Sequence, residues 1–107
     1  MEIINIFDAI PAHLPEEISQ TMLDGDGIRI ERIVSNGQAS PEGFWYDQSE
    51  HEWVLLLEGS AGLEIEGEDA VCNLRKGDYV LLSAHQRHRV AWTDADSETI
   101  WLAIFFQ

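Results

Sequence analysis

Two short stretches of this 107-residue chain concentrate the side chains that could hold a metal ion or move a proton. The first is Gly43-Phe-Trp-Tyr-Asp-Gln-Ser-Glu-His-Glu52, which runs into the apolar Trp53-Val-Leu-Leu-Leu57 and ends at Gly59. The second is Gly77-Asp-Tyr-Val-Leu-Leu-Ser-Ala-His-Gln-Arg-His88. Each reads as a β segment with polar residues beside a glycine turn. A carboxylate from one and an imidazole from the other, meeting inside a small barrel, would make a metal site, because carboxylate oxygen and imidazole nitrogen are common donors to divalent ions. Without a metal, His88 is a buried imidazole hydrogen-bonded to a carboxylate such as Glu52, with a structural or acid–base role.

Strand parity decides which side chains can meet, since neighbours along a strand point to opposite faces. With Glu52 inward, Gln48, Glu50, Val54 and Leu56 share its face, and so does Tyr46 if no bulge intervenes. Gln48 then offers a carbonyl oxygen as a further donor. His88 shares a face with Val90 and Trp92, so Trp92 is expected to wall the pocket and shrink it. His51 has the opposite parity to Glu52 and faces away unless a bulge reverses it. His85 sits in the turn Ser83-Ala-His-Gln86. Either histidine would strengthen a metal site if it turned inward. Two carboxylates on one face, Glu50 and Glu52, cannot both be buried and charged without help. One must lie at the mouth, bind a metal, or keep its proton. Phe44, Trp45 and Tyr46 form an aromatic lip, and Asp47 has the outward parity of a rim residue.

The elements that must position these residues are strands. Turn signals recur at Gly59, Gly67-Glu-Asp69, Lys76-Gly-Asp78, Ser83 to Gln86 and Asp94-Ala-Asp-Ser97, with short apolar runs between them. No long segment has a helical period, so the expected class is an all-β sandwich or barrel. Residues 18–23 and 28–34 around Asp24-Gly-Asp-Gly27 read as a hairpin. Pro11 and Pro15 limit the first segment to a short strand or helical turn, read as a cover over the core. The length fits one domain over residues 1–107, with a barrel core at about 17–106.

These residues resemble the cupin superfamily, whose two motifs are frames of Gly, His, Glu and Gly, and of Gly, Pro-x-Gly, His and Asn. Glu52 followed by six residues and Gly59 matches the tail of the first; Gly77, Ser83-Ala-His85 and His88 match the frame of the second. The chain is also similar to a group of small bacterial single-domain cupins, mostly without assigned activity. The resemblance implies a double-stranded β-helix, or jelly roll. In the family, the first-motif His pair, its Glu and the second-motif His hold one divalent metal, and only Glu52 and His88 carry over directly. Tyr46-Asp-Gln48 stands where His-x-His is usual, Ser83 at the Pro position, His85 at the Gly position and Trp92 at the Asn position; a glycine position implies a backbone near the left-handed or bridge region for His85, which histidine tolerates. The ligand set implied is Glu52 and His88 with help from Gln48 or from a second histidine, His85 or His51. Zn, Fe, Mn and Ni are not distinguished by it.

Charge and composition narrow the partners. Twenty acidic and six basic residues give a net charge of -14, which argues against nucleic acid and against anionic membranes. Cys72 is the only cysteine, so no internal disulfide can form. The acidic N-terminus does not read as a signal peptide and no apolar run reaches the roughly 20 residues of a membrane span; a cytoplasmic setting is expected. Three functions fit: metal-dependent activity on a small metabolite, metal-free binding of a small molecule, and a structural or regulatory role by contact. The runs Trp53 to Leu57 and Ile100 to Phe106 are apolar on both parities, so their outer face needs cover from the N-terminal segment or from a second subunit. A symmetric homodimer is expected on this ground. Sedimentation at micromolar concentration should give twice the chain mass, and a monomer there would refute it.

Overall fold

The computed structural model describes residues 1–107, in eight strands and no helix. The strands are β1 (Ile18–Gly25), β2 (Ile28–Ser35), β3 (His51–Glu58), β4 (Ser60–Ile65), β5 (Cys72–Arg75), β6 (Tyr79–Leu82), β7 (His88–Thr93) and β8 (Thr99–Phe106). They form two antiparallel sheets, one in the order β1-β2-β8-β3-β6 and one in the order β5-β4-β7. Side chains from both sheets pack into one core, in which Leu56 of β3, Leu63 of β4, Leu82 of β6 and Trp101 of β8 are almost fully buried. The architecture is all-β, as the spacing of the turns led one to expect, and it is the jelly roll that the cupin resemblance implied. No helix is long and apolar enough to cross a membrane.

Glycine makes the passage from one sheet to the other. Gly59 separates β3 from β4 at φ 87°, and a Cβ there would lie 2.7 Å from the Cα of Thr99 and 2.8 Å from the carbonyl oxygen of Glu98. Both the torsion and the space require glycine. The hairpin also stands where the Gly-Asp repeat puts it, with Gly25 paired to Ile28 around Asp26 and Gly27.

Strand β2 turns the face with Arg29 and Glu31 inward and the face with Arg32 outward. Arg29, Glu31 and Ile33 pair across β8 with Phe105, Ala103 and Trp101, all buried, and directly paired residues share a face. Ile28 and Ile30 therefore point outward with Ile104 and Phe106. Part of this outer face is covered by the N-terminal segment, as expected. Leu14 is buried against Val34 and Ile100, with Ile10, Ile18 and Leu57 around them. Arg32 anchors that cover by donating to the carbonyls of Ile6 at 2.8 Å and Asp8 at 2.7 Å. Farther along the same face Leu81 and Tyr79 are exposed, with Trp53 tilted against Tyr79 at 5.3 Å.

Two expectations about local structure are corrected. Residues 43–50 are a loop, and β3 begins only at His51. The loop reaches the three-stranded sheet at a single bridge, where Tyr46 N donates to His88 O at 2.7 Å and His88 N to Tyr46 O at 3.2 Å. The second correction concerns Trp92. Gly62 pairs with Trp92 but Leu63 pairs with Val90, so Ala91 is an extra residue on β7. That bulge reverses parity between His88 and Trp92. Trp92 consequently lies on the outer face over Gly62, where its indole N–H donates to Asn73 Oδ1 at 3.2 Å.

Candidate functional site

Glu52 and His88 face each other across the barrel, the first from β3 and the second from β7. Both are buried, with 8% and 5% of their surface exposed. His88 Nε2 lies 3.6 Å from Glu52 Oε1, an ion-pair contact rather than a hydrogen bond. His88 Nδ1 is 2.9 Å from the carbonyl oxygen of Gln86. A carbonyl only accepts, so Nδ1 carries the proton and Nε2 is the atom free to exchange one. Gln48 donates its amide to Glu52 Oε1 at 3.1 Å, whereas Glu52 Oε2 has no hydrogen-bond partner in the protein. The Tyr46 ring stacks on the His88 imidazole at 5.3 Å and 22°, which fixes the ring plane.

This pair lines a cavity of about 240 Å³ with polar and apolar walls. Val54, Leu63, Leu82, Val90 and Trp101 are among its apolar lining. In the same sheet as Glu52, on the far side of β8, Arg29 and Glu31 from the inward face of β2 also line it, with Glu17 just before β1 and Ser19 within it. The Arg29 guanidinium is clamped between two carboxylates, Glu31 Oε2 at 2.7 Å from Nε and Glu50 Oε1 at 3.1 Å from a terminal nitrogen, and it lies 4.3 Å over the Phe105 ring. Arg29 thus neutralises Glu50, a fourth solution to the Glu50 and Glu52 problem beyond exposure, metal or proton. Glu17 Oε2 accepts from the buried Ser35 hydroxyl at 2.8 Å.

Burial lowers the basicity of His88, but Glu52 and the Gln86 carbonyl outweigh it and hold the imidazole above its ordinary pKa. Tyr46 is pushed up as well, first by burial and then by the negative charges of Glu17 and Glu52. Arg29 is raised chiefly by its bond to Glu31 and stays charged.

Of the residues singled out in the sequence, Gln48, Glu52, His88 and Tyr46 come together in the cavity, and Glu50 stands at its edge through Arg29. Three do not. His51 points away as its parity requires, its Nδ1 accepting from Ala84 N at 3.0 Å and its ring against Phe106. His85 takes the left-handed turn conformation at φ 64° and pairs on the surface with Asp47 at 2.7 Å. Trp92 is on the outer face. Arg29, Glu31 and Glu17 were not foreseen in the site: both faces of β2 carry a charge, so its parity does not announce which face is inside.

The donor set does not fit a resident divalent ion. One imidazole nitrogen and one carboxylate converge, and the third group, Gln48, meets Glu52 through its N–H₂ end, which cannot coordinate. No group of three or more His, Cys, Asp or Glu side chains comes together in a way that could hold a metal. Borderline metals in open catalytic sites take three protein ligands.

The family model described as a cupin domain matches residues 23–105. A protein of Ralstonia eutropha JMP134, described as a candidate mannose-6-phosphate isomerase, is 50% identical, with a TM-score of 0.96 over 100% of this chain and 99% of that one. A cupin superfamily protein of Desulfitobacterium hafniense DCB-2 is 18% identical, with a TM-score of 0.73 over 91% of this chain and 83% of that one. A protein of Thermus thermophilus is 15% identical, with a TM-score of 0.79 over 99% of this chain and 97% of that one. The last two share the fold alone. No protein of curated function matches the chain.

A pH dependence follows from the raised basicity of His88. The attraction of the imidazolium to Glu52 stabilises the fold in full below the unfolded histidine value of about 6.5 and is lost as pH rises through the higher folded value. In NMR titration His88 should show a pKa above that of a free histidine, and Glu52→Gln should lower it. In urea unfolding the same substitution should cost on the order of 1 kcal/mol below pH 6 and less at pH 8.5. A His88 pKa unchanged by Glu52→Gln would contradict the pairing.

Proposed function

The chain belongs to the cupin family, and from that premise we propose that its cavity binds a small organic molecule directly, with Glu52 and His88 exchanging a proton with it and no resident metal between them. One observation carries the reading. An imidazole with Nδ1 tied to the Gln86 carbonyl and Nε2 turned toward a buried carboxylate is an oriented acid–base pair, and the second oxygen of that carboxylate is left without a protein partner. The fold does not carry it, since one barrel hosts many chemistries.

The Ralstonia eutropha protein's description is consistent with this in kind. An isomerisation of an aldose to a ketose moves a proton between neighbouring carbons, and such a step needs a positioned acid and base. A site made of Glu52 and His88 supplies both roles, with Gln48 holding the carboxylate and Tyr46 holding the imidazole plane. Positioned proton transfer of this kind contributes roughly 10²- to 10⁴-fold to a rate.

A screen of small metabolites by thermal unfolding tests the reading. Ligands should raise the midpoint equally with and without EDTA, reaching about 2.7 kcal/mol of stabilisation at a hundred times Kd. Glu52→Gln and His88→Gln should lose the effect, while His85→Ala, on the exposed turn, should keep it. A midpoint raised by Zn or Mn alone, reversed by EDTA and absent in Glu52→Gln, would replace this reading with a metal centre.

A further inference from the structure

The outer face of the five-stranded sheet carries three cross-strand rows of side chains, and no carboxylate stands in any of them. Strand register aligns Leu23, Ile30, Ile104, Trp53 and Leu81 into one apolar row that crosses all five strands. The row beside it runs through Gln20, Arg32, Leu102, Leu55 and Tyr79, and the third through Ile28, Phe106 and His51. Arg32 is buried, its guanidinium taken by the carbonyls of Ile6 and Asp8. A chain with 20 acidic residues and a net charge of -14 has thus kept acid off these rows altogether. Two copies of so acidic a chain repel each other wherever their carboxylates meet, and along these rows none do.

The cover that the chain supplies to this face stops short of β6. Leu14 closes one end of the face at Val34 and Ile100, and Arg32 fixes the backbone of Ile6 and Asp8 beside β2. Ahead of that anchor Ile3 and Ile4 are 87% and 73% exposed, an apolar arm left in solvent. Strand β6 lies three strands from β2, about 14 Å away. Three residues of extended chain span at most about 11 Å, so neither Ile3 nor Ile4 reaches β6 while Arg32 holds Ile6. On β6 itself Tyr79 and Leu81 stay 67% and 52% exposed. One chain therefore holds two apolar surfaces, the arm and the β6 end of the sheet, that it does not bring together by itself.

We infer that a second copy of this chain covers the face, the two outer sheets packing against each other about a two-fold axis that runs along the strands over β8. Strand β8 is the middle one of the five, so this axis sets β2 of one copy, with its arm, over β3 and β6 of the other, and the contact is self-complementary. The arm of each copy then lies against Trp53, Tyr79 and Leu81 of its partner. The three rows span about 19 Å by 14 Å, and with the two arms the contact approaches the roughly 800 Å² that each partner gives to a stable interface. The inference is independent of what the cavity binds.

Sedimentation equilibrium of the full chain and its variants, from nanomolar to micromolar concentration, tests it. Leu81→Glu and Tyr79→Glu each put a carboxylate into the contact and should raise the dimer dissociation constant about a hundredfold. Both positions are exposed in the single chain, so circular dichroism should show an unaltered fold; if one variant fails to fold, the other reads the same contact. Removing residues 1–5, which lie ahead of the Arg32 anchor, should weaken the dimer about tenfold. Val71→Glu, an exposed position just before β5 in the other sheet, should leave the constant unchanged. A monomer at micromolar concentration, or a dimer that Leu81→Glu and Tyr79→Glu leave as tight as before, would overturn the inference. A dimer broken by those two substitutions but indifferent to the loss of residues 1–5 would overturn the place of the arm and the axis that sets it there.

Discussion

A buried carboxylate on one sheet and a buried imidazole on the other confront each other across the barrel, and the interior is arranged around keeping both. Ionised groups lose several kcal/mol on leaving water unless they find partners. Glu52 finds Gln48 and His88, and His88 finds the Gln86 carbonyl. Gln48 and Gln86 come from the two loops that carry the polar stretches, and these loops are joined by the bond from His85 N to Gln48 O at 2.7 Å and by that from Ala84 N to His51 Nδ1. His51 and His85 thus contribute to the site by joining its loops. They do not supply the chemistry that their residue type suggested.

The same constraint explains the inverted face of β2. A cavity that contains Glu52 and His88 cannot be lined throughout by isoleucine without leaving the pair unsolvated. Arg29 and Glu31 point inward, where Arg29 also neutralises Glu50, and Ile28 and Ile30 are displaced to the outer face. One end of that outer face is closed by Leu14 and by the hold of Arg32 on the carbonyls of Ile6 and Asp8. Interior polarity and exterior hydrophobicity are two sides of one strand.

Much of this was legible from residue order. Punctuated short runs without helical period announced an all-β sandwich or barrel, the cupin resemblance named it a jelly roll, Gly59 and Gly27 marked turns, and, once Glu52 was taken as inward, alternation put His51 on the other face. The left-handed turn at His85 was implied by its standing at the glycine position of the second cupin motif. What could not be read has a physical cause in each case. Trp92 defied its parity because Ala91 bulges from β7, and only the glycine at position 62, beneath the indole, hints at it. Arg29 and Glu31 were hidden because a strand with a charge on each face has no unambiguous inside. The ion pair of Arg29 with Glu50 joins positions 21 apart and depends on the order of strands in the sheet. Spacing along the chain does not encode that order.

The chemistry of the site turns on which nitrogen of His88 holds the proton when the ring is neutral. A ¹⁵N-detected measurement of the His88 side chain, made well above its pKa, reads this directly from the two ring-nitrogen shifts. The geometry predicts a protonated Nδ1, bonded to the Gln86 carbonyl, and a bare Nε2 facing Glu52. A neutral ring protonated at Nε2, or one averaging between the two forms, would contradict the oriented acid–base pair on which the site is built.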